Sequence, residues 1–287
     1  MSKLFIVPTP IGNLSDMTDR AVETLRESDF ILAEDTRHSQ KLLNHFDIKK
    51  HLISYHKYNE KSRSEEIIAE ILEDDKNVAL VTDAGTPCIS DPGYELVRRA
   101  REAGIEVIGL AGASAVTVAL SVAGIDTYQF AFYGFLPRKK SELDEALQKI
   151  KGNVIKTFVL YESPKRIIGL IETIKGHMPN ADMCVCKELT KLHENTFYGT
   201  IDSVMEQLNS HEDVERGEYV IVGYNNDYEE KEENSAQVSL HGILFDKLIH
   251  KDYSLKEAVS EITEEGLASK NEAYKASLEI KKFIENY

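Results

Sequence analysis

The apolar, β-branched run Val78-Ala79-Leu80-Val81-Thr82 stops abruptly at Asp83. A segment rich in Gly, Pro, Ser and Asp (83–93) follows, and from Tyr94 a helical pattern puts Leu96, Val97 and Ala100 on one face. The run predicts a buried strand, and Pro92 suits the opening of a helix. A buried strand that feeds a helix through a structured loop belongs to a parallel α/β sheet. Such a loop lies at the carboxyl end of its strand, where open α/β sheets bind ligands. Gly85 and Gly93 let backbone approach a ligand closely, while Pro87 and Pro92 stiffen the loop. The loop is longer than most βα connections. A ligand site explains it better than a plain connector.

The same pattern recurs on both sides. Strands are predicted over 4–7, 30–33, 52–54, 78–82 and 106–110, separated by helical patterns. Ala21, Val22 and Leu25 face inward on the first helix, Leu42, Leu43 and Phe46 on the second, and Ile67, Ile68, Ile71 and Leu72 on the third. Repeated β-α units imply a mostly parallel sheet with right-handed crossovers. Thr9-Pro10, Glu34-Asp35-Thr36-Arg37, residues 56–59, residues 83–90 and Gly112-Ala113-Ser114 all follow strand ends. In a parallel sheet those ends share one rim, which is where a cleft is expected.

A second unit begins near Asp126, with strands over 128–135, 157–161, 183–189, 196–201 and 219–224 and less regular alternation, so a mixed sheet is expected. The Glu-dominated segment 227–237 reads as a solvated linker. Helical patterns over 240–250, 255–263 and 271–284 follow, with Ser254 and Ser269 as N-caps and Gly266 between the last two. They suit a helix-turn-helix and a small packed helical cap equally. The expected organisation is α/β: two α/β domains over 1–125 and 126–226, the linker, and a small C-terminal helical appendix over 238–287.

Charge and cysteine usage narrow the partners. The chain of 287 residues has a formal net charge of −15, so its overall field opposes nucleic acid and any RNA contact needs a local basic patch. Arg37, Arg138, Lys139, Lys140, Lys165 and Arg166 all follow strand ends and could form one. Cys88, Cys184 and Cys186 give no disulfide framework, and the Cys184-x-Cys186 pair lacks a second pair for zinc. The nine His residues are scattered, so no metal site is expected. The uncharged stretch 107–125 is about long enough to span a bilayer, but its glycines and hydroxyl residues fit a buried strand, turn and helix. The N-terminal apolar run is too short for a signal peptide. The cytoplasm is the expected compartment.

Gly112-Ala113-Ser114-Ala115-Val116 is similar to a nucleophile elbow, though Val116 replaces the last glycine. A hydrolase built on Ser114 is one reading; a ligand carboxylate or hydroxyl at a helix N-terminus is another. Neither a Walker pattern nor G-x-G-x-x-G is present.

The motifs taken together identify a family. Val7-Pro8-Thr9-Pro10-Ile11-Gly12-Asn13, Glu34-Asp35-Thr36-Arg37, the 82–93 segment, Gly134-Phe135-Leu136-Pro137-Arg138, Tyr161-Glu162-Ser163-Pro164-x-Arg166 and Lys187-Glu188-Leu189-Thr190-Lys191 occur in that order. The chain resembles the ribosomal small subunit methyltransferase I family, a branch of the tetrapyrrole methylases that 2′-O-methylates a cytidine of 16S ribosomal RNA. The resemblance implies the tetrapyrrole-methylase fold, a homodimer, and S-adenosylmethionine between the two domains. It places cofactor contacts on Pro10, Asp83, Ala84, Gly85, Thr86, Ile89, Ser90, Ser114 and Ala115. Where the family more often has Gly and Arg, this chain has Cys88 and Lys187; Lys187 keeps the charge but loses a planar fork. A ribose hydroxyl needs a base, for which Glu34, Asp35 and Glu188 are the candidates. Arg37, Arg138, Lys165 and Arg166 would hold RNA phosphates. The alternatives are a methylase of a small tetrapyrrole and a module that binds the cofactor without transferring its methyl group.

Overall fold

The computed structural model describes residues 2–229, 239–250 and 253–285. The chain divides into two compact units, 1–228 and 229–287. The first unit contains two five-stranded sheets.

The first sheet is all parallel, in the order β3-β2-β4-β1-β5. Its strands are β1 (Lys3–Ile6), β2 (Phe30–Ala33), β3 (His51–Ser54), β4 (Asn77–Leu80) and β5 (Glu106–Gly109). Between them run α1 (Asp19–Glu27), α2 (Thr36–His45), α3 (Glu60–Glu73) and α4 (Tyr94–Glu102). The period of two sorts the side chains of each strand onto opposite faces. Phe30, Leu32, Val78 and Leu80 pack with Ile67, Ile71, Leu96 and Ala100 of α3 and α4. Ile31, Ala33 and Ala79 pack with Ala21, Val22, Leu25 and Leu43 of α1 and α2. All four residues of β2 are buried, which is why that strand reads as a continuous apolar run. Leu72 departs from the amphipathic expectation: it is half exposed, because α3 turns Ile67 and Ile71 to the sheet and leaves the next position at the edge of the stripe.

The last helix of this half, α5 (Ala115–Val122), packs elsewhere. Its Val116, Ala119 and Leu120, with Ala123, lie against Val159, Cys184, Cys186, Val220 and Val222 of the second sheet. A boundary after residue 125 therefore cuts α5 from the strands that it covers. Eight residues are too short to cross a bilayer, and no described helix is long and apolar enough to do so.

The second sheet is mixed, in the order β6-β7-β10-β8-β9, with only β6 and β7 parallel. It comprises β6 (Phe130–Phe135), β7 (Thr157–Glu162), β8 (Asp182–Lys187), β9 (Asn195–Thr200) and β10 (Tyr219–Tyr224). Helices α6 (Lys140–Lys151), α7 (Ile167–His177) and α8 (Ile201–Asn209) cover the face opposite α5. The strand expected over 183–189 stops at Lys187, because Glu188 takes φ 55°. Cys184 and Cys186 share a buried face, with their sulfurs 3.8 Å apart.

The second unit holds α9 (Leu240–His250), α10 (Leu255–Glu264) and α11 (Lys270–Glu285) around Leu244, Val259, Ile262, Ala273 and Ile280. Ser254 and Glu257 form a capping box at α10. Ser269 and Glu272 exchange the same pair of bonds at α11. Most of the expected linker lies outside the described residues. Its first residue, Asp227, is no free linker residue: it accepts hydrogen bonds from Asn180 at 2.9 and 2.6 Å.

Two glycines give opposite expectations. A Cβ on Gly223 of β10 would sit 2.1 Å from Cζ of the buried Phe158, whereas one on Gly169 of α7 meets nothing within 4 Å. Gly223→Ala should destabilise the protein by about 2 kcal/mol or more through overpacking. Gly169→Ala should stabilise it by roughly 0.5–1 kcal/mol through backbone entropy. Urea denaturation of both variants measures this, and an unchanged midpoint for Gly223→Ala would show that the Phe158 ring has room to move.

Candidate active site

The strand-end loops of the first sheet are cross-tied. Thr9 and Gly85 exchange two backbone hydrogen bonds of 2.9 Å. The Thr9 hydroxyl donates to the Thr82 carbonyl at 3.0 Å, and that of Thr86 to the Ala113 carbonyl at 3.0 Å. The loops after β1, β4 and β5 are thereby fixed to one another. The loop after β2 joins them: the Asp35 N–H donates to Asp83 at 3.1 Å, and the Thr82 hydroxyl donates to Glu34 at 2.9 Å. From α3, Glu60 accepts the N–H groups of Gly93 and Glu95 at 3.0 Å each and so caps α4. Within the 83–93 loop, Cys88 and Ser90 take φ 72° and 68°. This left-handed backbone explains why glycine suits position 88.

The second sheet supplies the facing wall. A β-bulge in β6 places Gly134 at φ 62°, where a Cβ would lie 2.8 Å from the Ser90 hydroxyl. The backbone of β6 can approach the loop only because this residue has no side chain. Tyr161 of β7 stacks edge-on with Phe132 and tilts against Phe135, at 5.0 and 5.6 Å between ring centres.

Between the walls lies a cavity of about 470 Å³. From the first sheet it is lined by Ile11, Glu34, Asp83, Ala84, Gly85, Thr86, Ile89, Ser90, Asp91, Ser114 and Ala115. Phe135, Tyr161, Glu162, Ser163, Pro164, Leu189, Gly217, Glu218, Tyr219 and Val220 come from the second. Of the residues expected to contact a cofactor, all but Pro10 line this cavity. Pro10 stands between Thr9, which makes the bridge, and Ile11, which lines the wall.

The three candidate bases separate. Glu34 lines the cavity. Asp35 does not: it caps α2 and holds the Arg37 guanidinium through two bonds of 3.1 and 2.8 Å. The Arg37 bonds keep its carboxyl well below the usual carboxylate range. Glu188 is held from both sides, by the Lys191 ammonium at 2.8 Å and the Glu218 N–H at 2.9 Å. Burial would raise its pKa, but these bonds outweigh it and lower it. Glu188 thus latches the 217–218 wall and does not itself line the cavity.

Two acids that were not singled out as site residues stand in the wall. Asp91 is pushed up to about 7 by burial and then by the charges of Glu34 and Asp83, with a Thr82 hydrogen bond opposing. It lies in the 82–93 motif, but nothing local marks it as buried, because its environment comes from other loops. Glu162 has a fully buried side chain, and its Oε2 makes no hydrogen bond. Burial and the Asp91 charge push the Tyr161 phenol up to about 12, so it remains a donor.

The expected phosphate contacts also divide. Arg138 and Lys165 are exposed and make no ion pair among the described residues. Arg166 is engaged: it donates to the Pro137 carbonyl at 3.1 Å and lies 3.4 Å from Glu162 Oε2. It ties the loop after β6 to that after β7. Ser114 has ordinary extended backbone, φ −150° and ψ 119°, and lacks the strained turn that a nucleophile elbow requires. Among the described residues no group of three or more His, Cys, Asp or Glu is placed to hold a metal ion.

Comparison with known proteins agrees with the motif order. The family model for Tetrapyrrole (Corrin/Porphyrin) Methylases matches residues 3–205. Ribosomal RNA small subunit methyltransferase I of Synechocystis sp. is 40% identical over 281 residues, covering 98% of this chain and 99% of that protein. Its counterpart in Bacillus subtilis is 40% identical over 278 residues, 96% and 94% of the two chains. Among solved structures, diphthine synthase aligns with a TM-score of 0.59 at 14% identity, over 78% of this chain and 90% of that one. Uroporphyrin-III-C-methyltransferase from Thermus thermophilus aligns at 0.52 and 19%, over 77% and 93%. At such identities these two likenesses concern the fold alone.

The Asp91 carboxyl gives a signed pH dependence. Well below pH 4 both the folded and the unfolded chain hold its proton. As pH rises toward about 7, only the folded chain still holds it, so stability falls. Above that pH the loss is complete. The melting temperature of Asp91→Asn relative to wild type should therefore climb between pH 4.5 and 8 and then level off. A difference independent of pH would mean that Asp91 titrates normally.

Proposed function

Because the chain belongs to the ribosomal RNA small subunit methyltransferase I family within the tetrapyrrole methylases, we propose that it methylates the ribose 2′-hydroxyl of a cytidine in 16S ribosomal RNA, with S-adenosylmethionine as donor. The sign of the cavity carries this reading. Glu34, Asp83, Asp91, Glu162 and Glu218 line it, and no Lys or Arg does. Such a cavity favours a cationic ligand and opposes one that bears phosphates. S-adenosylmethionine carries a sulfonium and an amino group, and when bound it supplies a methyl group on that sulfonium. Asp83, Ala84, Gly85, Thr86, Ile89, Ser90, Ser114 and Ala115 would hold it. Ile11, Ile89, Leu189 and Val220 offer apolar surface for a flat base. Glu162 Oε2 makes no hydrogen bond and meets only the Arg166 guanidinium, at 3.4 Å, so it has acceptor capacity left for a donor on the ligand.

The protein then has two tasks: to hold a hydroxyl in line with the methyl carbon and to accept its proton. Asp91 and Glu34 serve the second. A carboxyl that titrates near neutrality is partly ionised at pH 7 and is an effective base there. Asp35 and Glu188 are spent on ion pairs. Of the two acceptors, RNA is favoured over a small tetrapyrrole by the 40% identity to a ribosomal RNA methyltransferase over 98% of the chain. The reading places the protein in the cytoplasm, where ribosomes are. It also has the protein act as a homodimer.

Labelled S-adenosylmethionine with small ribosomal subunits that lack the modification tests the activity. Nucleoside digestion should place the label on the ribose of a cytidine, and label on no ribose hydroxyl would overturn the reading. Asp91→Asn should lower kcat by roughly 10²-fold or more; an unchanged kcat would remove Asp91 from the chemistry.

A further inference from the structure

An acidic cavity cannot hold the phosphates of its own acceptor, so RNA must be gripped outside it. Residues 36–58 have the composition for this. In a chain of net charge −15, this stretch carries Arg37, Lys41, Lys49, Lys50 and Lys57 against a single acid, Asp47. It also holds four of the nine histidines, His38, His45, His51 and His56.

The fold gathers part of the stretch into a groove. β3 is an edge strand of the first sheet, and α2 lies beside it. Arg37, Gln40 and Lys41 of α2 and Lys50 and His51 at the start of β3 line an open groove between the two. The described part of α2 contains no acidic residue. Lys41, Lys49 and Lys50 make no ion pair among the described residues, unlike Lys76, Lys139 and Lys191, which pair with acids. Three cations left unpaired in an acid-rich protein are available to a polyanion.

The groove also begins two residues along the chain from the cavity wall. Glu34 lines the cavity, Asp35 caps α2, and Thr36 and Arg37 line the groove. One short loop therefore joins the proposed reaction site to the head of a basic track.

We propose that the α2–β3 groove binds the phosphate backbone of the single-stranded RNA flanking the methylated nucleotide, through Lys41 and Lys50, with Gln40 and His51 as hydrogen-bonding partners and Arg37, paired with Asp35, at its head. The assignment rests on the RNA methyltransferase reading above. Phosphate contacts of this kind position the RNA without reading its sequence. Lys41 and Lys50 act on binding, not on the transfer step.

Binding of a single-stranded RNA oligonucleotide to the full chain, measured by fluorescence anisotropy from 50 to 200 mM salt, tests the proposal independently of methyl transfer. Each lost phosphate contact on a single strand removes about 0.7 from the slope of log affinity against log salt. Lys41→Ala with Lys50→Ala should therefore flatten the slope by about 1.4. The same pair should raise KM for the small subunit roughly tenfold, with kcat and donor affinity unchanged. Lys149→Ala with Lys151→Ala, on α6, is the control and should change neither. An unchanged slope and KM in the groove variant would overturn the proposal. A raised KM with an unchanged slope would also overturn it, since the groove would then touch protein rather than RNA. If wild type binds RNA with the expected salt dependence but labels no ribose, the reading of the activity fails while the groove stands.

Discussion

The site depends on the backbone bridge between Thr9 and Gly85. Two hydrogen bonds of 2.9 Å join loops from adjacent parallel strands, and the Thr9 hydroxyl adds a third tie to Thr82. Each contributes about 1 kcal/mol net. Their larger effect is geometric. Cys88 and Ser90 sit in left-handed backbone, which costs roughly 1–2 kcal/mol per non-glycine residue. A loop anchored at one end only would relax that strain. Anchored at Gly85 by Thr9, at Thr86 by Ala113, and at Gly93 by Glu60, it is held in the conformation that lines the cavity.

The second requirement is a facing wall, and small residues allow it. α5 lies on the second sheet through Val116, Ala119, Leu120 and Ala123, and its alanines let the helix come close. Gly134 lets β6 approach Ser90. The cavity is therefore the space left between two sheets whose spacing is set by α5 on one side and a bulge on the other. Its acids are buried by residues far away in sequence.

That distinction explains what could be read from sequence. The strands over 30–33 and 219–224 were legible to the residue, because β2 and β10 are buried along their lengths and punctuated at both ends. The convergence of strand-end loops followed from parallel topology. The allegiance of α5 did not: a helix of small apolar residues presents no polar face to orient it, so the pattern shows a buried helix without saying against what. Asp91 and Glu162 were part of recognisable motifs, but their burial arises only when the sheets meet. Arg166, Asp35 and Glu188 show the converse. Their charge was visible, but the Pro137 carbonyl, Arg37 and Lys191 that occupy them depend on loop geometry. The groove beside β3 was missed because its cations are spread over a helix and the start of a strand, and only the fold brings the two together.

Charge then sorts the two proposed substrates. An acidic cavity attracts a sulfonium and repels phosphate, while the basic groove does the reverse, so neither ligand competes for the other's site. The arrangement also bears on turnover. Methyl transfer converts a sulfonium into a neutral thioether, and the carboxylates of Glu34, Asp83 and Asp91 lose the charge that they favour. On the proposed reading the demethylated donor would be held less tightly than the intact one. Asp91, with its carboxyl near neutrality, can carry the abstracted proton while that charge disappears, which limits the build-up of uncompensated negative charge in the cavity. Donor capture, proton acceptance and product release follow in this reading from one cluster of acids.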